Sequence, residues 1–256
     1  MNGCGRPLIG GPSAAVHAPT VYTNEDGSST MSSIIEQLRG GLVVSCQADA
    51  DSPVYGPKFM AAFARCAEMA GAVGIRVNGP ADTRAVRKAV KVPIIGIYKL
   101  RTAEYPVYIT PTLQSARQIV RAGGDIIAID ATHRARPEGK SPEALIAAIH
   151  TKLGVPVMAD IDSLEEGIAA AEAGADIVAT TMAGYTPARP KTAGPDLDLV
   201  RALAARITTP IICEGRIGRP EDVRAALDAG AFAVVVGTAI TAPIALTQGF
   251  VRATKA

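Results

Sequence analysis

The chain has 256 residues, of which 48% are hydrophobic and only 4% aromatic, and its formal net charge is +2. A balance this close to neutral gives no electrostatic footprint for a nucleic acid or an anionic membrane surface, so neither is expected as a partner. The aliphatic composition predicts a core of Ala, Val, Ile and Leu, in one large α/β domain or two small ones.

Residues 1–30 differ from the rest of the chain, because they are rich in Gly, Pro, Ser and Thr and have no hydrophobic periodicity. This composition predicts a disordered leader that carries no catalytic residue. A helical pattern opens at Met31, so the folded domain is expected to span residues 31–256. The four cysteines have no metal-ligand spacing and no signal-peptide pattern is present, which together predict a reducing cytoplasm.

A repeat organises the domain. The dipeptide Ala-Gly precedes an apolar run at Ala70, Ala122, Ala173 and Ala229, at intervals of 52, 51 and 56 residues. Each of these glycines is predicted to end a helix in the left-handed conformation. A second set of apolar runs, VPIIGIYK, VPVMADI and TPIICEG, lies between them, and GLVVSCQ opens the series. The proline in each of the three runs marks the first residue of a strand.

Eight short apolar strands therefore alternate with amphipathic segments. Their continuous β-branched runs predict parallel strands that are covered on both faces. This pattern predicts a single (β/α)8 TIM barrel. A doubly wound open sheet is the alternative, but no GxGxxG follows the first strand and the even repeat favours closure. The uncharged segment 229–251 is long enough to span a membrane, yet its glycines, proline and threonines predict a strand, a turn and a short helix instead.

The last residues of the strands are polar or glycine, and a barrel of this kind carries its active site at those ends. The ring comprises Gln47, Arg76, Asn78, Lys99, Asp130, Asp160, Thr180, Thr181, Glu214, Gly237 and Thr238. It contains no histidine, so proton transfer falls to Lys99 and to carboxylates. A lysine base needs a lowered pKa, and an ion pair with Asp130 or Glu214 is the alternative for Lys99. A metal site formed by Asp130, Asp160 and Glu214 is disfavoured, because the sequence offers no histidine ligand and no recognisable spacing.

The ends of the last two strands predict a phosphate site. Gly215 and Arg216 follow one strand, and Gly237 and Thr238 follow the next and lead into a short helix. In these barrels phosphate binds here through backbone N–H groups and a helix N-terminus. Arg216 either adds its charge to this site or points outward to pair with Glu221.

With these residues identified, the sequence resembles the N-acylglucosamine-6-phosphate 2-epimerases, the bacterial N-acetylmannosamine-6-phosphate epimerase family. The resemblance extends from about Met31 to Val251 and so covers the whole predicted barrel. The matching phrases are GLVVSCQA, GAVGIRVNG, PIIGIYK, VYITPT, DIIAIDAT, MADI, AGADIVATTMAGYT, ICEGRI and VVVGTAI.

The resemblance implies an isomerase that interconverts N-acetylmannosamine 6-phosphate and N-acetylglucosamine 6-phosphate in sialic-acid breakdown. It implies that Lys99 and Glu214 are catalytic, and that Gln47, Arg76 and Asp130 bind the amino-sugar phosphate. Lys99 would abstract the proton on carbon 2 of the ring-opened sugar. Glu214 would open the ring, deliver the returning proton or orient Lys99. No metal or organic cofactor is expected, and a homodimer is the expected assembly.

Two other functions fit the same strand-end pattern. A Schiff-base aldolase or lyase would use the strand-end lysine to attack a carbonyl group. A non-catalytic barrel would bind a sugar phosphate without turning it over.

Overall fold

The structure, a computed structural model, describes residues 30–255. Its centre is a closed barrel of eight parallel strands in sequence order, with the last strand paired to the first. The strands are β1 (Leu42–Cys46), β2 (Gly74–Asn78), β3 (Ile94–Ile97), β4 (Ile126–Asp130), β5 (Val157–Asp160), β6 (Ile177–Ala179), β7 (Ile211–Glu214) and β8 (Ala233–Val236). The predicted (β/α)8 barrel is confirmed. The leader predicted over residues 1–30 lies outside the described residues, except for Thr30, where the first helix begins.

Helices surround the barrel and connect its strands. They are α1 (Thr30–Glu36), α2 (Pro57–Met69), α3 (Pro80–Ala89), α4 (Leu113–Ala122), α5 (Pro142–Leu153), α6 (Leu164–Glu172), α7 (Leu197–Ala204), α8 (Pro220–Asp228), α9 (Thr238–Thr241) and α10 (Pro243–Ala253). Within residues 30–255, none of them has the length and apolarity needed to cross a membrane. The uncharged segment 229–251 forms β8, α9 and most of α10, as its turn residues predict.

The turn chemistry read from the sequence is present at the bottom of the barrel. The four glycines of the Ala-Gly pairs take left-handed φ values of +94°, +101°, +88° and +103°, at Gly71, Gly123, Gly174 and Gly230. Each predicted strand-starting proline lies one residue before its strand. Its carbonyl oxygen accepts the N–H of a residue in the preceding strand, at Pro93, Pro156 and Pro210. The prolines thus lack only an N–H donor, which the residue before each strand does not need.

Side chains along each strand alternate between the barrel interior and the layer of helices. In β7, Ile212 packs in the interior, whereas Ile211 and Cys213 pack towards the helices. The same alternation directs Glu214 into the mouth of the barrel. Cys46 and Cys213 are fully buried, and burial raises the pKa of both thiols to about 12.

Candidate active site

A cavity of about 870 Å³ opens at the C-terminal ends of the strands. Eight of the nine residues predicted to act in catalysis or substrate binding line it, namely Gln47, Arg76, Lys99, Glu214, Gly215, Arg216, Gly237 and Thr238. They converge because each lies at, or just beyond, the end of a strand, where the inward-facing position reaches the mouth of the barrel. Asp130 is the exception.

The floor of the cavity is an ion network around Arg76 of β2. The guanidinium forms a bidentate pair with Asp160 of β5 and a second pair with Glu214 of β7. The side chains of Arg76, Asp160 and Glu214 are 1%, 0% and 14% exposed. The Thr181 hydroxyl lies 2.7 Å from Asp160 Oδ1 and 3.1 Å from Glu214 Oε2, so it donates to one carboxylate at a time. Because these contacts hold Oε2, Glu214 Oε1 is the oxygen left for the cavity.

Glu214 is placed to exchange a proton near neutral pH. Burial raises the pKa of Glu214 to about 7, and the negative charge of Asp160 acts in the same direction. The Arg76 guanidinium, the Thr181 hydroxyl and the Lys99 ammonium oppose this rise in pKa without cancelling it. At pH 7 the carboxyl group is therefore divided between its protonated and ionised forms, as a general acid or base requires.

Lys99 follows β3 and its backbone is fixed from two sides. Its N–H donates to Asn78 Oδ1 at 2.8 Å, and the residue forms an antiparallel bridge with Ile109. Burial lowers the pKa of Lys99, and the positive charge of Arg76 lowers it further, although Glu214 opposes the effect. The lowered pKa increases the fraction of neutral amine, which is the form of a lysine that accepts a proton.

Asp130 is the predicted site residue that the structure does not bring to the cavity. Its carboxylate is fully buried and accepts hydrogen bonds from the Thr132 hydroxyl at 2.7 Å and from Arg134 at 2.6 Å. Its backbone N–H donates to the Ile109 carbonyl, because the segment after Lys99 folds back over the end of β4. This segment covers Asp130, so the geometry does not support the direct substrate contact predicted for it.

The carboxylates of Glu214 and Asp130 are each paired with an arginine. Glu214 pairs with Arg76 and Asp130 pairs with Arg134, so neither forms the ion pair with Lys99 that the sequence left open. Among residues 30–255, no group of three or more His, Cys, Asp or Glu side chains is arranged to hold a metal ion. The positive charge beside Asp160 and Glu214 is supplied by the arginine itself.

The Arg216 side chain holds the loop between β6 and α7. Its guanidinium donates to the carbonyls of Ala183 and Gly194, at 2.7 and 3.1 Å, and to the Thr192 hydroxyl at 2.9 Å. The pair with Glu221, one of the two predicted orientations, is not formed. The backbone of Arg216 has a φ of +55°, a left-handed conformation that side chains disfavour. These loop contacts therefore hold a strained residue at the rim of the cavity.

Backbone groups converge at the predicted phosphate site. Gly215 has a φ of +112°, which requires glycine. The N–H groups of Thr238 and Ala239 open α9 and find no acceptor in the part of the chain that the structure describes. A Cβ atom at Gly237 would lie 3.3 Å from the Ser45 Cβ, so this position fits glycine closely. The two strand ends thus present free backbone donors to one corner of the cavity.

Three residues of the site were not among the predicted catalytic and binding residues. Asp160 and Thr181 complete the Arg76 network, and Asn78 holds Lys99. All three belong to the strand-end ring read from the sequence. The signal that would have selected Asn78 and Asp160 is the alternation along each strand, which gives them the same inward parity as Arg76 and Glu214. Thr181 lies in the turn that follows β6, where this alternation does not apply.

The fold and the site together define a (β/α)8 barrel whose cavity at the strand ends holds a lysine with a lowered pKa and a carboxyl group with a raised pKa. Comparison with known proteins identifies the family. Residues 60–256 match the profile of the family described as "Putative N-acetylmannosamine-6-phosphate epimerase". This chain belongs to that family.

Individual relatives agree with the family match. The chain is 51% identical over 220 residues to a "Putative N-acetylmannosamine-6-phosphate 2-epimerase" of Thermosynechococcus vestitus, covering 86% of this chain and 96% of the relative. It is 46% identical over 223 residues to a protein of the same description from Caldanaerobacter subterraneus, covering 87% and 94%. The solved structure of the N-acetylmannosamine-6-phosphate 2-epimerase from Clostridium perfringens is similar with a TM-score of 0.83 and 40% identity, covering 86% of this chain and 96% of that one.

Proposed function

We propose that this chain interconverts N-acetylmannosamine 6-phosphate and N-acetylglucosamine 6-phosphate by removing and returning the proton on carbon 2. The observation that carries the proposal is a lysine with a lowered pKa and a carboxyl group with a pKa of about 7 in one cavity. Family membership supplies the substrate, an amino-sugar phosphate of sialic-acid breakdown.

The chemistry begins on the open-chain sugar, because carbon 2 becomes acidic only when carbon 1 is an aldehyde. Neutral Lys99 takes the proton from carbon 2, and the electron pair moves to the aldehyde oxygen as an enolate. The protonated fraction of Glu214 that is present at neutral pH acts as the acid of the pair through Oε1. Return of a proton to the opposite face of carbon 2 gives the epimer. Arg76, which is itself held by Asp160, keeps Glu214 in place during removal and return of the proton.

The phosphate anchors the substrate at the corner formed by Gly215, Arg216, Gly237 and Thr238. The unpaired N–H groups at the start of α9 support this assignment, because backbone donors can approach a phosphate closely where side chains are small. Arg216 contributes its backbone and holds the loop, since its guanidinium is occupied by loop acceptors. Gln47 lines the same cavity and binds the sugar.

The test of the proposal is Lys99→Met, which keeps the apolar stem and removes the amine. A positioned base contributes about 10²–10⁴-fold to the rate, so kcat is expected to fall by at least 10²-fold with the fold retained. In deuterium oxide, NMR should show deuterium at carbon 2 of the product of the wild type and none with the variant. Lys152→Met, at an exposed position on α5, is the matched control and should leave kcat unchanged. Near-normal epimerisation by Lys99→Met would move the role of base to another group.

The same protein separates the two rival functions. Borohydride added with substrate would trap a covalent adduct on Lys99 in a Schiff-base aldolase or lyase, and mass spectrometry would detect it. An epimerase of the proposed kind stays unmodified. A non-catalytic barrel would bind N-acetylmannosamine 6-phosphate without forming its epimer, so a wild-type chain that binds but does not turn over would refute the proposal.

We also infer that the chain forms a homodimer and functions in the cytoplasm. Helix α10 buries none of its side chains, and Ile244, Phe250 and Val251 on it are 51%, 79% and 45% exposed. An apolar surface of this kind is typical of a face that packs on another subunit. The described cysteines, Cys46, Cys66 and Cys213, are all unpaired, which fits a reducing compartment.

A further inference from the structure

Asn78, the last residue of β2, has a side chain whose orientation is fixed by Lys99. Its Oδ1 accepts the backbone N–H of Lys99 at 2.8 Å, and the residue faces the same cavity as the lysine. A backbone N–H is only a donor, so the atom opposite it has to be the amide oxygen and not the NH₂ group. The amide of Asn78 therefore has a single acceptable orientation.

This orientation leaves the NH₂ group of Asn78 without an acceptor. No hydrogen-bond partner for Nδ2 occurs within residues 30–255, and Nδ2 is not among the buried polar atoms that lack one. Because Asn78 is partly exposed and lines the cavity, its two N–H bonds are available to a ligand. The site thus contains a neutral hydrogen-bond donor, the NH₂ group of Asn78, on the same side chain whose oxygen binds the main chain of Lys99.

The other side-chain donors on the floor of the cavity are engaged or enclosed to different degrees. The terminal nitrogens of Arg76 pair with Asp160 and Glu214, and its Nε is buried without a partner. Gln47 Nε2 uses one of its two N–H bonds on the Ser45 hydroxyl at 2.8 Å. Asn78 differs from both, because its NH₂ group has both N–H bonds free in the cavity while its oxygen holds the main chain of Lys99.

We propose that Asn78 is a catalytic residue whose Nδ2 donates a hydrogen bond to the carbon 1 oxygen of the substrate as it becomes an enolate. The proposal rests on the epimerase function proposed above. Lys99 takes the proton from carbon 2, the electron pair of that bond forms the carbon 1–carbon 2 double bond, and the carbonyl pair moves to oxygen 1. The negative oxygen accepts the hydrogen bond from Nδ2. Return of a proton to carbon 2 moves the electrons back and restores the aldehyde.

Two substitutions separate donation to the substrate from support of Lys99. Asn78→Asp keeps an oxygen for the Lys99 N–H but has no donor for the enolate. Asn78→Ala removes both interactions. Loss of one donor to a developing oxyanion lowers kcat by about 10²–10³-fold. The kcat of both variants is therefore expected to be lower than that of the wild type by this factor. The kcat values are compared on the plateau of each pH profile, because a new carboxylate beside Lys99 raises the pKa of the lysine and displaces the profile.

Three readouts accompany kcat. Calorimetric titration with N-acetylglucosamine 6-phosphate should give a dissociation constant within about threefold of wild type, because the enolate contact forms only in the transition state. Substrate deuterated at carbon 2 should show a larger isotope effect on kcat with the variants, as proton abstraction becomes slower than release. Gln114→Ala, at an exposed amide on α4, should change none of these values. Asn78→Ser provides a third variant if either of the first two fails to fold.

Each other outcome overturns the proposal. Asn78→Asp with near-wild-type kcat and Asn78→Ala with a large loss would mean that Asn78 only positions Lys99. A raised KM with unchanged kcat would mean that the amide binds the ground state of the sugar. Variants that match the wild type in both constants would remove Asn78 from the mechanism. A wild-type protein that does not epimerise the substrate would instead refute the proposed function, and is measured first.

Discussion

Replacing Glu214 with glutamine should make the stability of this protein less dependent on pH. Burial raises the pKa of Glu214 from its ordinary value of 4.5 to about 7. The folded chain therefore holds this proton more tightly than the unfolded chain does. For a carboxyl group with a raised pKa, the free energy of unfolding falls as pH rises from 4.5 through about 7, and is level above that. Glu214→Gln cannot ionise and lacks this fall.

The size of the effect follows from the two pKa values. Their difference corresponds to about 3 kcal/mol of lost stability once the carboxyl is ionised in the fold. Between pH 5 and pH 8.5, the free energy of unfolding of Glu214→Gln minus that of the wild type should rise by about 2–3 kcal/mol. The weaker contact between glutamine and Arg76 shifts the whole difference curve by a constant and does not change its slope.

The measurement is urea unfolding followed by circular dichroism across this pH range, because the chain has no tryptophan to report by fluorescence. Glu68→Gln is the level control. The backbone N–H of Lys91 donates to Glu68 and lowers the pKa of this carboxyl below its ordinary value of 4.5, so Glu68 titrates below the measured range and its difference curve should stay level between pH 5 and pH 8.5. A Glu214→Gln curve parallel to that of the wild type would show that Glu214 titrates at its ordinary value, and the acid role given to it would lose its basis.

Three further outcomes are expected. Gly237→Ala should raise KM for the sugar phosphate at least tenfold with little change in kcat, because its Cβ would lie 3.3 Å from the Ser45 Cβ at the phosphate corner. A lowered kcat with an unchanged KM in steady-state kinetics would contradict this expectation. In urea unfolding, Arg216→Gly should have a free energy of unfolding about 1 kcal/mol higher than that of Arg216→Ala, because only glycine accepts a φ of +55° without strain. Phe250→Glu should shift the protein from dimer to monomer in analytical ultracentrifugation, and an unchanged sedimentation coefficient would place the subunit contact elsewhere.

The fold could be predicted from the sequence because each strand and each helix end has a local sequence pattern, namely an apolar run or a glycine. Every predicted strand contains an observed strand, and the left-handed glycines stand where helices end. Strand-end position then predicted which polar residues would meet, since parallel strands in one barrel all end at the same rim. This reasoning correctly brought Lys99 and Glu214 to one cavity although 115 residues separate them (214 − 99).

The ion-pair partners of these residues could not be predicted from the same sequence patterns. Arg76 pairs with Asp160 and Glu214 across the barrel, over 84 and 138 residues, and strand-end position does not say which of the converging charges will pair. Asp130 has the inward parity of a site residue, yet the chain that returns along β3 covers it. Such a covering depends on the path of a loop. The path of the segment after Lys99 is set by tertiary contacts and not by any local periodicity.

The surroundings of Arg76 explain how a protein without a histidine at its strand ends obtains a carboxyl group with a pKa of about 7 and a lysine with a lowered pKa. A single guanidinium buried beside Glu214 alone would hold the carboxyl ionised, since an adjacent positive charge favours the charged form. Asp160 takes the bidentate side of the guanidinium and adds its own negative charge, so burial prevails and the pKa of Glu214 rises. The same guanidinium lowers the pKa of Lys99. Burial, with Asp160 acting on Glu214 and Arg76 acting on Lys99, thus moves an acid and a base towards each other in pKa. Ionising the buried Glu214 costs stability, and Glu214→Gln should remove that cost.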